Sequence, residues 1–212
     1  MWKFDNTIAN IFESHAKQHI PNYDAVIDQC VDVCNYLDKN TKIIDVGCAI
    51  GETLNRLQSH GFTNLHGVDN SWAMIEKCNT RGPFHLHYSD KFPDELYDVV
   101  LMNWTLHFIE NKIEYLKSVY DGLSDNGLLI LSDKTSNDEL PLKFYHQFKS
   151  RKGVSENEIR EKAQSLVNVM FIHDVDWYLK TLRSIGFKEV YIINAYWCFT
   201  SFICTKSVDN VS

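Results

Sequence analysis

The sequence predicts an α/β fold: seven strands in a mostly parallel sheet, helices on both faces, and an antiparallel last strand. Three observations predict it. The run Ile43-Ile44-Asp45-Val46 is apolar and β-branched, and it leads through Gly47-Cys48-Ala49-Ile50-Gly51 into a helical pattern, which reads as strand, glycine turn and helix. Short apolar runs at residues 65–69, 85–88, 97–103 and 128–132 then alternate with helical segments, the signature of parallel strands joined by crossover helices. Last, runs at residues 190–193 and 199–204 are joined through only Ala195-Tyr196-Trp197, which pairs them antiparallel.

In chain order, Ile8, Ile11, Phe12, Ala16 and Ile20 recur at helical spacing until Pro21-Asn22 breaks the pattern. Val26, Ile27, Cys30, Val33, Cys34 and Leu37 mark one face of a second helix, so two helices fill residues 1–40 ahead of the first strand. Tyr23 sits at the elbow between them, where a packing tyrosine and a ligand contact both fit the pattern.

In the turn, Gly47 and Gly51 permit close backbone approach and angles that other residues resist. The helix over residues 52–60 then presents its N-terminal amides to whatever the turn holds. Asp69 ends the second strand about 20 residues beyond the turn, the spacing at which a carboxylate holds ribose hydroxyls. A dinucleotide site would need G-x-G-x-x-G. Here Ala49 and Glu52 stand at the second and third glycine positions, and a Glu52 carboxylate would repel a pyrophosphate.

Ser71 caps a short helix through Lys77, Arg81-Gly82-Pro83 turns the chain, and Asp90 follows the third strand, placed to accept from an adenine amino group or to be a solvated loop acid. The fourth strand ends at Asn103, at the sheet edge where open α/β folds bind ligands. His107 follows on that rim, as a general base or as a packing histidine. Asn111 with Glu114 predicts a capping box, Gly122 ends that helix, and Ser124-Asp125-Asn126-Gly127 predicts a turn before the fifth strand. Residues 135–172 form an insertion: a helix around residues 140–148, a basic break at residues 149–153, and a helix boxed by Ser155 and Glu158. It is expected to cover the ligand mouth as a lid or dimer element, its basic patch meeting an anion or solvent. Trp177, Leu179, Leu182 and Ile185 then mark a helix that Gly186 stops.

The chain has 212 residues, a formal net charge of −7, and is 44% hydrophobic and 13% aromatic. That balance bounds it to one globular α/β domain over residues 1–212 and argues against a broad nucleic-acid face, so nucleic acid is not expected as direct substrate. No apolar run approaches the ~20 residues of a membrane span, and the N-terminus has no signal-peptide core, so a cytoplasmic protein without a membrane partner is expected. The six cysteines, Cys30, Cys34, Cys48, Cys78, Cys198 and Cys204, form no CxxC pair and no Cys/His cluster at zinc spacing; they read as reduced core thiols, with no metal site.

The pair Asp45-x-Gly47-Cys48-x-x-Gly51 and Val68-Asp69-Asn70-Ser71 resembles motifs I and II of class I S-adenosylmethionine (SAM)-dependent methyltransferases, which implies the Rossmann-like class I methyltransferase fold. Over nearly the whole chain the sequence resembles the carboxy-S-adenosyl-L-methionine synthase family. The resemblance lies in Trp2-x-Phe4-Asp5, Pro21-x-Tyr23, Asp69-Asn70-Ser71-x-Ala73-Met74-Ile75-Glu76, Asn103-x-Thr105-Leu106, Leu131-Ser132-x-Lys134, Phe148-Lys149 and Asn168-Val169-Met170. It implies that Tyr23, Gly47, Cys48, Ala49, Asp69, Asn70, Asp90, Lys91 and Asn103 contact SAM or carboxy-SAM, and that the protein is a homodimer whose insertion helices help build the site. That family makes carboxy-SAM from SAM and prephenate for wobble-uridine modification in tRNA. It holds the added carboxylate with an arginine of the insertion helix; the aligned position here is Ala163, which cannot.

The expectation is therefore a SAM-dependent methyltransferase acting on a small molecule, with His107 as the candidate catalytic residue and Tyr145 and His146 shaping the acceptor pocket. Carboxy-SAM synthesis and a non-catalytic SAM-binding subunit stand as alternatives.

Overall fold

A computed structural model describes residues 5–207; Trp2 and Phe4 of the family resemblance lie outside them. Seven strands, β1 (Ile43–Val46), β2 (Leu65–Asp69), β3 (His85–Tyr88), β4 (Tyr97–Asn103), β5 (Leu123–Lys134), β6 (Glu189–Tyr196) and β7 (Phe199–Thr205), form one sheet in the order β3-β2-β1-β4-β5-β7-β6. β1 to β5 run parallel, and β7 is antiparallel to both its neighbours. This is the Rossmann-like arrangement that the sequence predicts.

The period of two along each strand divides the core. Val99 and Leu101 of β4 face one way with Ile43, and pack under α2 (Tyr23–Cys34), α3 (Glu52–Ser59) and α4 (Trp72–Asn79). Val100 and Met102 face the other way with Ile44, under α5 (Lys112–Asp121) and α8 (Val175–Ile185). Because both faces are covered, β1 and β4 are apolar without alternation. The order reverses at β1, which lies between β2 and β4, and this opens a crevice beyond their carboxyl ends. The N-terminal helix α1 (Asn6–His19) and the insertion helices α6 (Glu139–Arg151) and α7 (Glu156–Ser165) wall that crevice.

Three local expectations are corrected. Ser124 to Gly127 do not form a turn ahead of β5. Leu123 already pairs with Tyr97, the next pair is Leu128 with Val99, and the residues between make an irregularity within the strand. Asn111 starts α5 without a side-chain cap, because its backbone (φ −87°, ψ 60°) is not extended; Ser155 (φ −69°, ψ 156°) is extended, and its box with Glu158 forms. The break expected at 149–153 falls later within that run, because α6 continues through Arg151 and the chain turns at Lys152 and Gly153. All six cysteines are free and buried, as read from the sequence. Among the described residues no helix is long and apolar enough to cross a membrane, and no cluster of three metal-ligating side chains occurs.

Candidate active site

The glycine turn takes its shape from its neighbours. Gly47 (φ +71°) and Gly51 (φ +79°) both lie in the left-handed region. A Cβ on Gly47 would sit 2.1 Å from Thr105 Oγ1, and one on Gly51 2.5 Å from Cys78 Sγ. The Gly47 and Cys48 amides donate to the Val68 carbonyl at 2.8 and 3.1 Å, tying the turn to the end of β2. Ala49 is also left-handed (φ +46°), and its amide donates to Asp69 Oδ2 at 3.0 Å. Asp69 Oδ1 accepts from the Ser71 amide at 2.8 Å, so one carboxylate braces both the turn and the start of α4. Burial pushes the Asp69 carboxyl up, against the pull of those two amides.

The turn opens into a cavity of about 660 Å³. Tyr23, Gly47, Cys48, Ala49 and Asp69 line it, as do Asn70 and Asp90, both exposed, and the buried Asn103. Lys91 does not: it is exposed, and its amide donates to Ser89 Oγ. The Tyr23 ring stacks on Trp104 at 4.9 Å, and its burial raises the hydroxyl pKa. Asn103 Nδ2 donates to Cys30 Sγ at 3.5 Å, which assigns that thiol to packing beneath the site.

His107 sits on a short 3-10 turn after β4, buried to 3% exposure rather than standing on an open rim, and it lines the cavity. Its Nδ1 is hydrogen-bonded to Asp133 Oδ1. Asp133 is fully buried and its Oδ2 accepts from Tyr178 Oη at 2.6 Å. The Lys134 amide also points at Nδ1, at 3.4 Å, so a buried carboxyl group and a backbone donor fix this edge of the ring. Burial and the neighbouring Asp133 raise the Tyr178 hydroxyl pKa, which keeps it a donor. The His107 carbonyl accepts from the Phe171 amide at 2.7 Å, so the same residue anchors the end of the insertion.

Several wall residues lie beyond the expected cofactor contacts. Asp45 is buried, and burial with Asp69 nearby pushes its carboxyl up to about 8; only its place in the D-x-G motif marks it. Glu52 is held by Arg56 and Arg81 at 3.1 and 2.7 Å. Lys134, Lys149 and Lys162 line the cavity with Tyr145, His146 and Ala163. Lys149, on the basic run, is 4% exposed, and burial pulls its ammonium down to about 8, with Lys134 adding repulsion. Because a charged lysine is disfavoured there, Lys149→Met is expected to stabilise the ligand-free protein by about 1–3 kcal/mol at pH 7, read as a rise of several degrees in Tm. The gain is expected to vanish above the unfolded lysine pKa, near ~10.4, where both states are neutral.

A glycine turn after β1, an acid closing β2 and an antiparallel β7 together define a SAM-dependent transferase. The chain belongs to the methyltransferase family, whose domain model matches residues 14–185. It is 30% identical to a carboxy-S-adenosyl-L-methionine synthase of Klebsiella pneumoniae, over 97% of this chain and 92% of that protein. Among solved structures, a SAM-dependent methyltransferase of Thermotoga maritima superposes with a TM-score of 0.69 at 19% identity, over 97% of this chain and 99% of the other. The magnesium protoporphyrin IX methyltransferase of Synechocystis, solved with S-adenosylhomocysteine bound, superposes with a TM-score of 0.66 at 16% identity, over 90% and 86%.

Proposed function

We propose that the protein transfers the methyl group of SAM to a small-molecule acceptor, with His107 as the base. The observation that carries this reading is the His107–Asp133–Tyr178 chain in the wall of the cavity that the glycine turn opens.

The residues present fit the cofactor. A sulfonium and an ammonium group suit a wall that carries Glu52, Asp69 and Asp90, and Glu52 at the turn opposes a pyrophosphate. Asp69 and Asn70 are the groups to hold the ribose, Asp90 to accept from the adenine amino group, and the Gly47–Ala49 backbone with Asn103 to line the methionine part. Bound SAM supplies an activated methyl group, so the protein's tasks are alignment and proton removal. Asp133 fixes the imidazole, His107 Nε2 accepts the acceptor's proton, and α1, α6 and α7 exclude water. Asp69→Asn keeps the shape and removes the charge; it is expected to weaken S-adenosylhomocysteine binding about 10- to 100-fold by calorimetry.

The test is transfer from trideuteromethyl-SAM in a small-molecule extract. A deuteromethylated product that requires His107 supports the reading; cofactor binding with no labelled product from any fraction contradicts it. One observation favours a second reading, carboxy-SAM synthesis: similarity to proteins of that name across 97% of the chain. Against it, Ala163 stands on the cavity wall where the arginine is expected. Formation of carboxy-SAM from SAM and prephenate would decide for it.

A further inference from the structure

A lysine is rarely buried outright unless it is paired, and Lys112, the first residue of α5, is 2% exposed. It does not line the cavity. Its Nζ donates to the Ile109 carbonyl at 2.7 Å, just past the 3-10 turn that carries His107. The same ammonium lies 5.1 Å from the centroid of the Phe171 ring, and the Phe171 amide donates to the His107 carbonyl. The charge it faces on β5 is Asp133: burial pulls the Lys112 ammonium down to about 8, and the Asp133 carboxyl opposes that fall. The other titratable groups packed around the pair are engaged elsewhere or are neutral donors. Tyr178 of α8 donates to Asp133 Oδ2. The Lys134 ammonium is drawn to Asn137 Oδ1 at 2.6 Å. His173, ahead of α8 and next to Asp174, stacks on Trp177 at 4.1 Å, and burial together with Lys112 lowers its pKa.

The contacts of His107 Nδ1 fit two proton positions. A carboxylate at Asp133 accepts from Nδ1–H, whereas a protonated carboxyl donates to a bare Nδ1 and puts the ring proton on Nε2. The first leaves Nε2 able to take a proton and the second does not. A buried cation beside the carboxyl favours its ionised form, and with it the first arrangement.

We propose that Lys112 is a positioning residue for His107: its ammonium holds Asp133 as a carboxylate and steadies the 3-10 turn, which keeps the ring proton on Nδ1 and leaves Nε2 its lone pair. This deepens the reading of His107 as the base and rests on it. Lys112 acts through Asp133 and the turn, without touching cofactor or acceptor.

The test is nitrogen-15 NMR of the histidine rings in the full-length protein, with His107 assigned by its loss in His107→Gln. The neutral ring is expected to carry its proton on Nδ1. Removing the cation makes the His107–Asp133 pair take up a proton more readily, whichever of the two receives it. In Lys112→Met the titration of the pair is therefore expected to move up by at least about half a pH unit, and in Lys112→Arg to stay within about 0.2 of the parent. In the unaltered protein the ring signals are also expected to shift a second time near pH 8, as Lys112 loses its own charge, a step absent from Lys112→Met. That step, read on the unaltered protein, decides the assignment where Lys112→Met fails to fold. A packing role alone would lower the melting temperature and leave these titrations in place. Equal titrations in the parent and Lys112→Met, or no step near pH 8, overturn the assignment of Lys112 and leave the base reading standing. A neutral ring protonated on Nε2 overturns both. Unchanged methyl transfer in His107→Gln, with the titrations as expected, overturns the base reading alone.

Discussion

Replacing His107 with glutamine is expected to lower methyl transfer by a factor of about 10² to 10⁴, while the affinity for S-adenosylhomocysteine stays within about threefold. The imidazole lines the cavity and is held at Nδ1 by the buried Asp133, and glutamine keeps the bulk while removing the base. Asp133→Asn is expected to act in the same direction with the imidazole still present. An asparagine amide can face Nδ1 as a donor, which moves the ring proton to Nε2 and blocks proton acceptance there. A structural role alone would lower stability and cofactor affinity together with the rate. The check is therefore the split between label incorporation and the calorimetric dissociation constant, measured on variants whose melting curves match the parent.

Gly47→Ala is expected to have the largest effect on stability, a loss of about 3 kcal/mol or more and a fall in Tm on the order of 10 °C. Two costs add. An L-residue at φ +71° is strained by about 1–2 kcal/mol, and its Cβ would meet Thr105 Oγ1 at 2.1 Å. The turn cannot shift to relieve the clash without breaking the hydrogen bonds that the Gly47 and Cys48 amides donate to the Val68 carbonyl. Loss of S-adenosylhomocysteine binding is expected to accompany the loss of stability. Adding Thr105→Ala removes the hydroxyl and the methyl group nearest that Cβ, so the double variant is expected to recover part of both losses. A Gly47→Ala protein with unchanged melting and binding would show that the turn is not held as described.

The sheet was legible because its signals are local. The apolar runs of β1 and β4 span buried strands, Gly47 and Gly51 need their angles, and Asp69 follows the turn at a fixed spacing. Ser155 and Glu158 make their box within one turn of helix. What was not legible depends on contacts between distant segments. Asp133 lies on the neighbouring strand, 26 positions from His107, and nothing near either residue announces the pair. Lys149 belongs to a run that reads as a solvated surface, yet it is buried once α6 packs against α1 through Tyr145 and the His19 carbonyl. Ser124 to Gly127 carry turn residues, but the pairing of Leu123 with Tyr97 draws them into β5. Asn111 has the right identity for a cap and the wrong backbone.

The central claim is that the cavity beyond β1 and β4 holds SAM. Native mass spectrometry of the purified full-length protein, before and after addition of SAM and S-adenosylhomocysteine, tests it most directly. The account predicts one SAM-class molecule per chain, displaceable by S-adenosylhomocysteine and carried at lower occupancy by Asp69→Asn; a carboxy-SAM mass would favour the carboxy-SAM synthesis reading. A protein that binds none of these at millimolar concentration would contradict it.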